Sequence, residues 1–149
     1  MKFLECTTAI QITEACNNFY VQLKALNDAR AISDTSSMFN SIKGAAFTYD
    51  SKVGRATRGR VWLAINEHQQ VVGLMRLTDE GAHFHLENLV GIPRAGGGAA
   101  LLDLAKAISF SLKKELKLEA ADRELVAYYS GRCFNQVSGG SGMVWKVDS

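Results

Sequence analysis

The residue types best suited to chemistry lie in Leu89-Val90-Gly91-Ile92-Pro93-Arg94-Ala95-Gly96-Gly97-Gly98-Ala99-Ala100-Leu101-Leu102. A strand pattern ends there, a glycine-rich turn follows, and an amphipathic helix pattern begins. The first N–H groups of a helix have no partner within it, and with no side chains in the way they suit a phosphate. Arg94 adds a fixed positive charge with two-pronged donor geometry. Three consecutive glycines carry an entropic cost that a plain strand–helix joint does not require, which favours phosphate binding. A dinucleotide fingerprint does not fit, because no G-x-G-x-x-G phase has an acidic residue about 20 positions on. A P-loop does not fit either, because no Gly-Lys-Ser/Thr follows.

The strand before the turn carries a second signal. Phe84, Leu86, Val90 and Ile92 share one face by simple alternation, with Asn88 the exception. His83, His85 and Glu87 share the other, followed by Leu89 and Gly91. A central strand buried on both faces reads as continuously apolar. Three ionisable groups on one face therefore imply a solvated cleft, where Glu87 or His85 can exchange a proton. His83 and His68 read as surface residues.

The elements that position these residues follow from the rest of the pattern. Lys2 to Ile10 reads as a strand, and Gln11 to Leu26 as a helix on Ile12, Ala15, Phe19, Val21, Leu23 and Leu26, with Thr13 or Thr8 as N-cap. A weaker helix covers about Ser33 to Ile42. Lys43 to Arg60 reads as a loop whose Lys52, Arg55, Arg58 and Arg60 outweigh Asp50; a solvated loop is its ordinary meaning. Residues 61–65 and 71–77 form a hairpin, and 82–92 a third strand. A helix spans about Gly98 to Lys114, with Leu101, Leu104, Ala105, Ile108 and Leu112 on one face. A strand at 116–120, a short helix at 123–129 and strands at 134–137 and 143–147 complete an α/β (α+β) chain. Strands 82–92 and 116–120 flank a helix and should be parallel.

Bulk properties exclude several classes. The chain has 149 residues, 47% apolar and 21% charged, with a net charge of +2. That suits one domain and gives no strong pull toward nucleic acid. No apolar run approaches the ~20 residues of a membrane helix. Cys6, Cys16 and Cys133 are odd in number and widely spaced, so they read as free thiols in a reducing, cytoplasmic setting with no metal site.

The segment Asp122-Arg123-Glu124-Leu125-Val126-Ala127-Tyr128-Tyr129-Ser130-Gly131-Arg132-Cys133-Phe134 makes the pattern specific. A strand, an arginine-led glycine turn, an amphipathic helix, a strand and a short helix ending Tyr-Tyr-x-x-x-x-Phe resemble the GNAT superfamily of acyl-CoA-dependent N-acetyltransferases. The resemblance runs from about Val61 to the C-terminus. The family's turn reads Arg/Gln-x-x-Gly-x-Gly/Ala, and Arg94, Gly97 and Ala99 match it, with Ala95, Gly96 and Gly98 between them. The family's short helix often ends Phe-Tyr-x-Lys-x-Gly-Phe; here Gly131 replaces the lysine and Cys133 the glycine.

The resemblance implies a mixed, mostly antiparallel sheet of six to seven strands with about four helices and a central parallel pair. It implies one acetyltransferase domain over 1–149, in which 1–60 shapes the acceptor side and 61–149 holds acetyl-CoA. Residues 94–99 would hold the pyrophosphate, and Asp122 falls where the family often has an asparagine on the pantetheine arm. Tyr129 falls on the tyrosine that commonly protonates the departing thiolate. An amine acceptor must lose a proton before attack, and Glu87 or His85, directly or through water, would take it. Backbone N–H groups of Leu89 and Val90 would polarise the thioester carbonyl, and Gly91 would let the pantetheine arm lie against the strand. The implied reaction is direct acetyl transfer from acetyl-CoA to a primary amine in a ternary complex, by a monomer or homodimer. The alternatives are a non-catalytic CoA-binding module and an acyltransferase acting on a macromolecule such as aminoacyl-tRNA or protein, for which the basic loop is the only hint.

Overall fold

The computed structural model describes residues 1–28, 59–120, 122–137 and 140–146. Seven strands form one sheet: β1 (Lys2–Cys6), β2 (Gly59–Ile65), β3 (Val71–Asp79), β4 (His83–Gly91), β5 (Glu115–Glu119), β6 (Asn135–Gln136) and β7 (Gly142–Trp145). Their spatial order is β1-β2-β3-β4-β5-β7-β6. Three helices are described: α1 (Ala9–Asp28), α2 (Gly97–Ser111) and α3 (Arg123–Ser130). Every pairing is antiparallel except β4–β5, which is parallel across the α2 crossover as expected. The helix expected at 33–42, and Lys52, Arg55 and Arg58 of the basic loop, lie outside the described residues. Among the described residues no helix is long and apolar enough to cross a membrane.

The N-terminal boundary differs from the sequence expectation for a local reason. The Thr8 hydroxyl accepts from the Gln11 N–H at 3.2 Å, and the Gln11 carboxamide accepts from the Thr8 N–H at 3.2 Å and the Thr7 N–H at 2.7 Å. This reciprocal capping box starts the helix at Ala9 and ends the strand at Cys6 rather than Ile10. Thr8, not Thr13, is the cap. Two of the expected core positions fail. Val21 and Leu112 are exposed, while Cys16, Leu102 and Ser109 take buried places. Phe134 and Val137 flank a shorter strand than expected.

Two apolar layers sandwich the sheet. On the α1 face, Cys6, Ile12, Ala15, Cys16, Phe19 and Leu23 pack with Val61, Leu63, Leu74 and Val90. On the α2 face, Leu101, Leu102 and Ala105 pack with Met75, Leu77, Phe84, Leu86, Leu116 and Leu118, and with Tyr129 of α3 and Phe134 beyond it.

Burial pushes the Cys6 and Cys16 thiols up to about 11 from an ordinary 9.0. Between those values the unfolded chain has released protons that the folded chain still holds, so stability falls as pH rises through that window. The urea midpoint is expected to drop between about pH 8 and pH 10.5, and to drop less in a Cys6→Ala/Cys16→Ala double variant. A midpoint equally pH-sensitive in both proteins would assign the effect to other groups.

Candidate active site

The site begins with a register slip. Leu77 pairs with Leu86, but Arg76 pairs with Asn88, so Glu87 is an extra residue on β4. Such a bulge bends the strand and re-aims its side chains. Alternation reverses there. Phe84 and Leu86 face α2, and beyond the bulge Leu89 joins them. Val90 instead joins the α1 layer. Strict alternation puts Val90 with Leu86; the bulge overturns that, and the misfit of Asn88 in the sequence pattern is its signature.

The bulge also ends a partnership. β4 pairs with β5 only over residues 83–86, the last pair being Leu86 with Leu118. Among the described residues, 87–91 have no partner on β5. Central strands normally satisfy their backbone groups on both sides. This splay therefore leaves the β4 edge that includes Leu89 and Val90 available to a ligand. A cavity of about 410 Å³ opens at the splay, lined by His85, Leu86, Glu87, Glu119, Ala120 and Ser141.

His85 and Glu87, expected together from the sequence, do meet there. The His85 Nε2 lies 4.0 Å from Glu87 Oε2, and the Arg76 guanidinium lies 3.6 Å from the same oxygen. Arg76 also donates from Nε to Asn88 Oδ1 at 2.9 Å. His83 is half-buried rather than a plain surface residue, with its ring centroid 6.5 Å from that of His85. His68 is exposed.

Tyr129 stands elsewhere. It is 7% exposed in the α2-face core, edge-on to Tyr128 at 5.2 Å and to Phe134 at 5.5 Å. Burial, with a smaller contribution from Tyr128, pushes its phenol up to about 12. It is not among the described residues lining the cavity. Tyr129 thus belongs to the α2-face core, while the His85–Glu87 pair lines the cavity at the splay. Nothing in the residue pattern marks Lys106, which holds the loop after Tyr129. Its ammonium donates to the Arg132 carbonyl at 2.5 Å and lies over the rings of Phe134 and Trp145.

The glycine-rich segment divides into two roles. The Ala95 N–H donates to the Ile92 carbonyl at 3.1 Å, closing a turn with Pro93 second and Arg94 third. Arg94 has φ 65, the left-handed value that a type II turn requires at that position. Gly96 follows with φ 78 as the N-cap of α2, and no side chain caps this helix. The Ala100 N–H is satisfied by the Gly96 carbonyl. Gly97, Gly98 and Ala99 precede the first such bond, so their N–H groups are the ones a helix leaves for an anion. Open space surrounds the missing Cβ of Gly96. This arrangement fits a diphosphate.

Gly97 and Gly91 are explained differently. A Cβ on Gly97 would overlap the Val72 carbonyl, and one on Gly91 would stand 2.8 Å from the Gly98 nitrogen. Both glycines let α2 dock backbone-to-backbone on the sheet. On the side where a Gly91 Cβ would stand, the strand therefore meets the helix backbone. Asp122 likewise serves the fold, since its Oδ1 accepts from the Leu125 N–H at 2.8 Å as the N-cap of α3.

No protein-family model matches the sequence, and no curated protein matches it. Solved structures do match its shape. GCN5 of Tetrahymena superposes with a TM-score of 0.63 at 11% identity, over 99% of this chain and 96% of that one. A GNAT-family acetyltransferase from Staphylococcus aureus Mu50 gives 0.62 at 16% identity, over 98% and 99%. A mutant of the AtaT toxin, bound to the C-terminus of the antitoxin AtaR and to acetyl-CoA, gives 0.54 at 14% identity, over 76% and 80%. The seven-stranded mixed sheet, its parallel β4–β5 pair and its crossover helix are thus the fold of the GNAT acetyltransferases.

Proposed function

We propose that this chain is an acetyl-CoA-dependent N-acetyltransferase that uses residues 1–149 as one domain and acts on a primary amine by direct attack. The observation that carries the reading is the splay of β4 from β5, with an uncapped helix N-terminus at one end and His85 and Glu87 lining its cavity. When bound, acetyl-CoA supplies a thioester as acyl donor. The N–H groups of Gly97, Gly98 and Ala99, with Arg94, hold the diphosphate. The β4 edge at Leu89 and Val90, unpaired with β5, offers a backbone N–H to a carbonyl oxygen. Glu87, with His85 beside it, takes the proton that an amine must lose. Tyr129 offers a phenolic O–H from the α2-face core. No acyl-enzyme is needed, so Cys133 has no nucleophilic role.

The test is calorimetric titration with acetyl-CoA, followed by thiol release with a panel of small amines. An Ala99→Glu variant serves as control. A carboxylate in the first helical turn favours the helix but repels a diphosphate. Affinity should fall about tenfold or more, equivalent to ~1.4 kcal/mol. No binding to the wild-type protein sinks the reading. Binding without turnover on any amine supports a non-catalytic CoA module. Turnover only on aminoacyl-tRNA or protein supports a macromolecular acceptor.

A further inference from the structure

We infer that Arg76 is a positioning residue that fixes the β4 bulge and aims Glu87 into the cavity; this rests on Glu87 as the base in the proposed function. Arg76 lies on β3 directly opposite Asn88, at the point where the register slips by one residue. Its side chain is 18% exposed, and that of Glu87 is 28%. One guanidinium reaches both residues of the distorted segment. Its Nε donates to the Asn88 carboxamide at 2.9 Å, and its Nη2 lies 3.6 Å from the Glu87 carboxylate. A planar, always-charged fork can hold two acceptors in fixed relative positions; an ammonium cannot.

The geometry gives this grip two consequences. An inserted residue is unpaired in the ladder, so its position depends on side-chain contacts rather than on backbone hydrogen bonds. Arg76 supplies such contacts from across the sheet. Glu87 also lines the cavity at the splay, and His85 reaches the same carboxylate oxygen at 4.0 Å. Holding that oxygen from β3 sets where the carboxylate can meet an acceptor. A displacement of ~1 Å at a reacting group can lower a rate by about 10²-fold.

The test compares Arg76→Met and Arg76→Lys with the wild-type protein. Arg76→Met is expected to lower kcat by about 10- to 100-fold while the acetyl-CoA affinity stays within about twofold. Arg76→Lys should recover part of that loss, because the charge returns without the fork. A loss of acetyl-CoA affinity and kcat in parallel, or an unchanged kcat, would overturn the assignment. Amide hydrogen exchange needs no substrate and separates this inference from the function it rests on. In Arg76→Met the amides of residues 87–90 should exchange about tenfold faster, with those of β2 unchanged. Unchanged exchange at 87–90 would overturn the inference even in an active enzyme. Faster exchange in a protein without turnover on any amine would sustain the clamp on the bulge and remove the proposed function.

Discussion

Replacing Tyr129 with phenylalanine is expected to lower acetyl transfer by about 10²- to 10⁴-fold, the range associated with loss of a positioned proton donor. Acetyl-CoA affinity should hardly change. The ring packs edge-on between Tyr128 and Phe134, and phenylalanine keeps those contacts. The main chain of the site is also held independently of the hydroxyl, since the Tyr129 carbonyl accepts from the Arg132 and Phe134 N–H groups. The raised phenol adds a sharper consequence. With its proton held up to about 12, Tyr129 stays protonated across the neutral range. A thiol releases its proton near 8.5, so full transfer from this phenol to a free thiolate runs uphill by roughly three and a half powers of ten. In the proposed reaction Tyr129 would therefore serve as a hydrogen-bond donor to sulfur while the carbon–sulfur bond breaks, rather than as a full acid. The pH–rate profile of Tyr129→Phe should keep the wild-type shape below about pH 10 and lose only height. An alkaline limb near pH 8 or 9 that vanishes in the variant would show that the phenol titrates far below its buried value. Equal losses of turnover and affinity would make Tyr129 a packing residue.

Much of this site is legible as residue types at fixed separations. The apolar runs mark out the strands, and the helix between 82–92 and 116–120 requires a parallel pair, which β4 and β5 form. The clustering of His85 and Glu87 is visible as polarity in a strand that should be apolar. The bulge is not legible, because a period-2 pattern carries no mark of an inserted residue beyond one misfit side chain, here Asn88. Arg76 escapes notice for a related reason. Its importance lies in a cross-strand register, and register is set by the whole hairpin rather than by the local sequence. Lys106 is hidden because a lysine on an amphipathic helix normally points to water, whereas this one reaches a carbonyl 26 residues away. Asp122 resembles a ligand contact by its place in the family pattern, yet its spacing from Leu125 is that of a helix cap.

The three consecutive glycines show why composition alone does not distinguish packing from ligand binding. They look equivalent in sequence, but Gly97→Ala and Gly98→Ala should diverge sharply. At Gly97 a Cβ would collide with the Val72 carbonyl and stand 2.9 Å from the Gly73 nitrogen, both backbone atoms of β3 that no rotamer change can move. Gly73 presses from the other side, where its own Cβ would lie 2.9 Å from the Gly97 carbonyl carbon. Relief requires lifting the start of α2 off the sheet. Overpacking of this kind costs about 1–3 kcal/mol or more, which exceeds the ~1 kcal/mol that alanine contributes as a better helix former. At Gly98 the nearest atoms to a Cβ are those of Gly91 at 3.8 Å, ordinary contact. There alanine should stabilise by about 0.5–1 kcal/mol through the unfolded chain. Denaturant midpoints of the two variants measure the difference directly. Equal stability at both positions would mean that α2 does not approach β3 this closely. If instead they diverge as argued, the glycine at the family motif's fixed position serves first to bring the helix down onto the sheet. The proposed phosphate site then depends on where that docking places the first free N–H groups.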